Sequence, residues 1–376
     1  MSLSRIPFLC SLALSGLSVV AVAQAPAPQP PAPQAPVVAP ATTPNFIPPV
    51  TRGASPEAVA LLRFIQENSG RGTLAGQHGA PLVAPTRLPV AQRQTGRYPA
   101  IFGQDFGFDL PGSWDGINFR QQLVDEAIRR HGEGFIITLM WHAVRPIEDE
   151  PVQFGPSIQG KLTDAQWKEM ITPGTRLNER WKSQVDVIAS YLRQLRDARV
   201  PVLWRPYHEM NGGWFWWGKK GGETGYKRLW AMLYDRLVNF HGLNNLIWVY
   251  NCNELTPGQD AYETYYPGAN YVDILATDVY RGGFAAKDYE EMLRVANGKP
   301  IALGEVGTPP SIEILRAQPK WSWFMVWGDP EGAGGAPGAT RPNVRQIYSS
   351  EQVVTRDELP WVKSSATPTM HFPTIR

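Results

Sequence analysis

The sequence predicts an α/β fold, a single (β/α)8 TIM barrel, and three observations carry that prediction. Eight short apolar or β-branched runs recur along the chain, amphipathic helical patterns lie between them, and nearly every run ends in a polar or aromatic side chain. Strand and helix alternating eight times close a parallel barrel. The runs are near-continuously apolar rather than alternating, as strands buried on both faces require. An open doubly wound sheet is the alternative, but no G-x-G-x-x-G follows the first run. A length of 376 residues with 43% hydrophobic content is enough for one large core.

Taken in order, residues 1–25 place Arg5 ahead of an apolar stretch and end on Ala-Gln-Ala, the pattern of a secretory signal peptide. Cys10 lies inside that stretch, which does not fit a lipoprotein cleavage point. Removal of the segment leaves Cys252 alone, so an internal disulfide is not expected. Residues 26–50 hold ten Pro with Ala and Gln and almost no charge, an extended polyproline-like linker. The barrel domain is then expected over 51–376. Its first helix begins at Ser55-Pro56-Glu57, where Ser55 caps, Pro56 suits the first helical position and Glu57 favours the positive helix end; it runs to about Asn68 and closes at Gly70. The expected strands are Thr73–Gln77, Pro99–Gly103, Gly134–Met140, Val200–Trp204, Asn245–Tyr250, Tyr271–Ala276, Lys299–Gly304 and Trp321–Val326. Helices are expected over Phe119–Arg130, Lys227–Phe240 and Glu179–Arg199, the last with Val185, Ile188, Leu192 and Leu195 on one stripe. After Trp327, the glycine-rich stretch from Gly328 to Gly338 predicts a flexible loop.

Charge and composition narrow the function classes. A net charge of +2, from 36 basic and 34 acidic residues without a basic run, argues against nucleic acid. No membrane association is expected once the signal is removed, and a monomer is the expected state. The 14 Trp are the unusual feature. Several follow apolar runs, which suits sugar stacking, although core filling is the simpler reading for any Trp outside the motifs below.

In a TIM barrel, chemistry collects where strands end. The candidates there are Gln77-His78, Gln104-Asp105, Trp141-His142, Arg205 through Glu209, Asn251 and Asn253, Asp278 and Tyr280, Glu305 and Trp327. Two carry a carboxylate that matters most. Glu209 stands in the dense segment from Leu203 to Gly218, which also presents Arg205, His208, Trp214, Trp216 and Trp217. Glu305 ends an apolar strand between Gly304 and Gly307, glycines that allow close ligand approach. Strands four and seven face each other across the mouth. A glycosidic bond needs one carboxylic acid to protonate the leaving oxygen and one carboxylate to attack the anomeric carbon. The plainer alternative for either Glu alone is a salt bridge to Arg205.

Within these segments the sequence resembles glycoside hydrolase family 26, whose best-known members are β-mannanases. The resemblance spans about residue 55 to Pro360: GQH at Gly76–His78, MWH at Met140–His142, WRPYHEMNGGWFWWG at Trp204–Gly218, the Tyr280 strand end, LGEVG at Leu303–Gly307 and VTRDELP at Val354–Pro360. It implies a retaining enzyme with Glu209 as general acid/base and Glu305 as nucleophile. It further implies that Arg205 bonds the nucleophile and keeps it ionised, that His208 partners the acid, and that His142 contacts the sugar in the −1 subsite. Tyr280 would stand near the nucleophile, and Trp214 and Trp327 would be stacking platforms.

The expected function is therefore an exported, endo-acting β-1,4-mannanase working on mannan-type polysaccharide without a cofactor. Another β-glycan (mixed-linkage glucan or β-1,3-xylan) or exo-acting release of mannobiose would use the same pair. A non-catalytic carbohydrate-binding barrel is the alternative from another class; both glutamates with Arg205 and His208 argue against it. No metal is expected, because Gly212 stands where H-E-x-x-H zinc binding needs its second His. His131 and His241 read as solvent-facing helix ends, Cys252 as a packed thiol, and Asp105 and Asp278 as structural hydrogen-bonding groups ahead of substrate-binding ones.

Overall fold

The computed structural model describes residues 46–79, 87–108, 116–280, 283–328, 330–331 and 343–363. The expected signal peptide with Cys10, the linker through residue 45 and the glycine-rich loop at 332–338 lie outside the described residues. Eight strands run parallel: β1 Thr73–His78, β2 Ile101–Asp105, β3 Ile136–Trp141, β4 Val202–Pro206, β5 Leu246–Asn253, β6 Ile274–Val279, β7 Ile301–Val306 and β8 Trp321–Val326. Each pairs with the next and β8 pairs with β1, so the sheet closes into the expected barrel. A two-residue strand, β9 at Val353–Val354, pairs with the start of β1.

Most strands start one to three residues later than their apolar runs, and several end later. The leading residues complete the preceding turn: Gly134 takes φ +92° and its N–H donates to the His131 carbonyl, and the Val200 N–H donates to that of Leu195. The shift matters at the other end. His78, Gln104, Asp105, Arg205, Asn251, Asn253, Asp278 and Glu305 are the last residues of strands rather than the first of loops. Pairing with at least one neighbouring strand therefore fixes their backbones.

Side chains alternate across the barrel wall. Leu203, Ile247, Val249, Ile274, Ala276 and Trp323 fill the interior, and helix Pro56–Asn68 lays Ala58, Leu61, Leu62 and Ile65 against the same core. That helix enters beside the start of β5, where the Ser55 N–H donates to the Asn244 carbonyl at 2.8 Å. Each of its three large apolar side chains is at most 1% exposed and contributes about 1.5–3 kcal/mol by burial. On the outside, the Val185, Ile188, Leu192 and Leu195 stripe of helix Arg176–Asp197 is fully packed. That helix begins three residues ahead of expectation because Thr175 caps it. The segment expected as Lys227–Phe240 is helical from Tyr226 to Tyr234 and continues as a π-turn over Asp235–Phe240.

Two expectations need correction. Residues 46–50 do not belong to a spacer: the Val50 N–H donates to Asp273 Oδ1 at 2.7 Å, Ile47 exchanges two hydrogen bonds with Gln66, and Arg63 lies over the Phe46 ring at 3.9 Å. Phe46 and Ile47 supply apolar area that the preceding Pro-Ala repeats lack. Nor do the two helix-end histidines face solvent. His241 Nε2 lies 2.7 Å from Asp186 and its Nδ1 accepts from Arg193 at 3.1 Å, while burial lowers the His131 pKa to about 4.

Candidate active site

The last interior layer of the barrel is polar. Following the in-out alternation of the core, Arg205, Asn251 and Asp278 occupy positions whose counterparts one layer down are Leu203, Val249 and Ala276. Glycine makes room for them: a Cβ on Gly304 would lie 1.7 Å from Asn251 Oδ1 and 2.8 Å from Asp278 Oδ1. Arg205 is 3% exposed; its Nη2 donates to Glu305 Oε1 at 2.7 Å, its Nη1 to Asn251 Oδ1 at 3.3 Å, and Asp278 lies 3.7 Å away. The Tyr280 hydroxyl donates to the other oxygen, Glu305 Oε2, at 2.5 Å, and His208 Nε2 stands 3.6 Å from Oε1. Glu305 is thus held by a cation and a phenol on separate oxygens, a carboxylate fixed in one orientation. The salt bridge weighed as the plainer reading of a lone Glu is present for Glu305. It joins the two carboxylate-bearing strands rather than replacing the site.

Glu209 is held differently. It lies three residues beyond β4 in a left-handed backbone conformation, φ +54°, with Tyr207 also at φ +47°. Such conformations persist where surrounding bonds over-determine them. Here the Glu209 N–H donates to the Asn251 carbonyl at 2.7 Å and the Trp217 indole to the His208 carbonyl at 2.8 Å. The Glu209 side chain accepts from the Trp214 indole N–H at 2.7 Å from Oε2 and also hydrogen-bonds the Asp278 carboxyl. Burial, then the negative charge of Glu305, raise its pKa from 4.5 to about 8, against the opposing pull of Trp214, Arg205 and Asp278. At neutral pH it therefore carries a proton.

The remaining groups line the same mouth. His142 hydrogen-bonds through Nδ1 to Asp105 Oδ2 at 2.7 Å, and Asp105 also accepts the N–H groups of His142, Gly107 and Phe108. Burial would raise the Asp105 pKa, but His142 and these N–H groups outweigh it and hold the carboxyl below its ordinary value. The His142 ring meets His208 edge-on at 4.6 Å and lies 6.4 Å from Trp327. Burial, then the charges of His142, Arg205 and His78, push the His208 pKa well down, so its ring is neutral. Trp327, half-buried just beyond β8, lies against the His78 ring at 3.9 Å between centroids.

Of the residues expected from strand-end positions, His78, Asp105, His142, Arg205, His208, Glu209, Asn251, Asp278, Tyr280, Glu305 and Trp327 make the contacts just described, whereas Trp141 and Tyr207 pack in the outer apolar core. What the sequence left without a role is part of the support: Asn251 between Arg205 and the Glu209 backbone, and His78 under Trp327. Their position at strand ends was the available signal. Asp105 does make the structural hydrogen bonds expected of it. Asp278 instead lies against the Arg205–Glu305 pair, and burial and Glu305 raise its pKa well above the carboxylate range. The aromatic run divides: Trp216 and Trp217 are fully buried and only Trp214 is half-exposed. Among the described residues, His208, Asp278 and Glu305 bring potential metal-ligand atoms within 4.8 Å of one another. The Arg205 guanidinium already supplies the cation there.

Two carboxyls in unlike environments, one capped by cation and phenol and one protonated, on strand ends four and seven of a (β/α)8 barrel, set the frame for comparison. The family model of glycosyl hydrolase family 26 matches residues 50–358. The chain belongs to glycosyl hydrolase family 26. A mannan endo-1,4-beta-mannosidase of Thermothelomyces thermophilus is 37% identical over 314 residues, 81% of this chain and 62% of that protein. The chain thus spans less than two thirds of that relative. A mannan endo-1,4-beta-mannosidase of Bacillus subtilis strain 168 is 30% identical over 295 residues, covering 73% of this chain and 76% of its own. Among solved structures, GH26A from Muricauda sp. MAR_2010_75 superposes with a TM-score of 0.76 at 45% identity, covering 82% of this chain and 99% of that one. A beta-mannanase from a symbiotic protist of the termite Reticulitermes speratus, complexed with gluco-manno-oligosaccharide, gives 0.70 at 31% identity, with 83% and 97% covered.

Proposed function

We propose that this family 26 protein is an exported, retaining endo-β-1,4-mannanase in which Glu209 is the general acid/base and Glu305 the nucleophile. The observation that carries the assignment is the asymmetry of the two carboxyls. Glu209 is buried and protonated at neutral pH, as a group must be to give its proton to a leaving oxygen, and environments that separate two carboxyls in this way assign acid and base roles. Glu305 is the carboxylate with charged and neutral donors on its two oxygens, oriented for attack on an anomeric carbon. In the first step Glu305 Oε attacks that carbon as Glu209 protonates the departing glycosidic oxygen. In the second, ionised Glu209 takes a proton from water as it displaces Glu305. Neutral His208, with His142 and the rings of Trp214 and Trp327, would hold the sugars, and the mannanases among the relatives support mannan as substrate. The leader pattern of residues 1–25 supports export; among the described residues, no helix is long and apolar enough to cross a membrane.

The test is pre-steady-state phenol release from an activated aryl mannoside with intact-mass detection of the adduct, beside a product profile on mannan, mixed-linkage glucan and xylan. Glu209→Ala should release a burst of phenol and accumulate a glycosyl-enzyme; Glu305→Ala should do neither. A burst and adduct in the Glu305 variant alone would reverse the assignment. Short manno-oligosaccharides as the main products establish substrate and endo action; mannobiose alone would mean an exo enzyme.

A further inference from the structure

The segment carrying Glu209 and Trp214 is anchored unevenly. Trp216 and Trp217 are tied into the core, the Trp216 N–H to the Ile158 carbonyl and its indole to that of Ala143. Gly213 and Trp214, on the solvent side, have a different anchor. We propose that Lys161 is a positioning residue for the acid/base glutamate: its ammonium clamps the main chain on both sides of Trp214 and so holds the indole N–H against the Glu209 carboxyl. The proposal rests on the reading of Glu209 given above.

The geometry is that of a two-point pin. Lys161 Nζ donates to the Gly213 carbonyl at 2.5 Å and to the Phe215 carbonyl at 3.3 Å, the carbonyls of the residues on either side of Trp214. The pin has a fixed base, since Arg145 Nη1 donates to the Lys161 carbonyl at 2.8 Å and Arg145 is itself paired with Glu148. From the other side the indole rests on bare backbone: a Cβ on Gly212 would lie 2.3 Å from the Trp214 ring. With backbone pinned and ring backed, the N–H has one direction available, and Glu209 Oε2 lies along it at 2.7 Å.

That hydrogen bond bears on the chemistry because Glu209 must be protonated in one step and ionised in the next, and a donor on a carboxylate favours the ionised form. The charged groups acting most on Glu209 are Glu305 and Arg205, and Asp278 acts on it through a side-chain hydrogen bond; those around the Lys161 ammonium are Lys220 and, through its backbone, Arg145. Lys161 therefore acts through Trp214 rather than through its own charge.

The experiment is a double-mutant cycle read as pH dependence. The basic limb of kcat/KM and the Glu209 titration, followed by carboxyl-carbon NMR and assigned with Glu209→Gln, are measured for Trp214→Phe, Lys161→Met, the double variant and Lys161→Arg. Trp214→Phe should move the Glu209 titration up by roughly one to two pH units, the share of one hydrogen bond to a charged group. Lys161→Met should move it the same way by at least about half a unit, the double variant should go no further than Trp214→Phe, and Lys161→Arg should restore the wild-type value. An unmoved titration in a folded Lys161→Met, or shifts that add in the double variant, overturns the proposal. The NMR titration stands without turnover, so absence of hydrolysis on every β-glycan would sink the functional reading and leave this test standing.

Discussion

Replacing Glu209 by Gln should make the protein more stable, and increasingly so as pH rises. In the folded protein burial and Glu305 raise the Glu209 pKa from 4.5 to about 8. A carboxyl whose folded pKa is raised contributes stability that is fully present below its unfolded pKa and lost as pH climbs through the folded one. At about 1.4 kcal/mol per pH unit, that loss is about 3 kcal/mol at pH 7 and about 5 kcal/mol above pH 8 for a side chain only 8% exposed. Gln keeps the shape and an oxygen to accept the Trp214 N–H but cannot ionise. Melting of both proteins from pH 4 to pH 9 should therefore coincide near pH 4 and separate between 4.5 and 8, reaching roughly 5 °C at pH 7 for a chain this size. Polysaccharide turnover should be lost throughout. A gap that is constant with pH, or that widens on acidification, would mean that Glu209 is not held protonated, and the reasoning that makes it the acid would fall with it.

Trp214→Ala and Trp327→Ala should each reduce turnover of long substrates at least about tenfold with melting temperature little changed, because both rings are half-exposed; normal kinetics in both would reassign them to packing. Asp273→Ala leaves the N–H groups of Val50 and Trp248 without their acceptor, at a cost of about 2–5 kcal/mol. It should release residues 46–50, seen as faster hydrogen exchange there with the rest of the barrel protected. Dialysis against a strong chelator should leave activity unchanged, since the Arg205 guanidinium already lies 2.7 Å from Glu305 and 3.7 Å from Asp278 in the His208, Asp278 and Glu305 cluster; loss restored by one divalent ion would overturn that view.

The sequence alone determined the barrel, because eight buried parallel strands need long apolar runs and the helices between them need amphipathic stripes, both local patterns. It also pointed to the strand ends that form the mouth, since strand ends are set by the same patterns, though not to which side of the wall each side chain takes: Trp141 and Tyr207 pack outward. It misjudged the lower edge of the barrel at residues 46–50 and the surroundings of His131 and His241, where partners lie far along the chain: Asp273 for Val50, Asp186 for His241. Only the tertiary structure decided what separates the two carboxyls. Which glutamate receives Arg205 and Tyr280, and which is left with Trp214 in a buried, protonated state, depends on closure of the barrel bringing β4, β6 and β7 together across distances of up to 100 residues. Spacing along the chain carries no record of burial or of the charge across the mouth, and those are the terms that set a pKa.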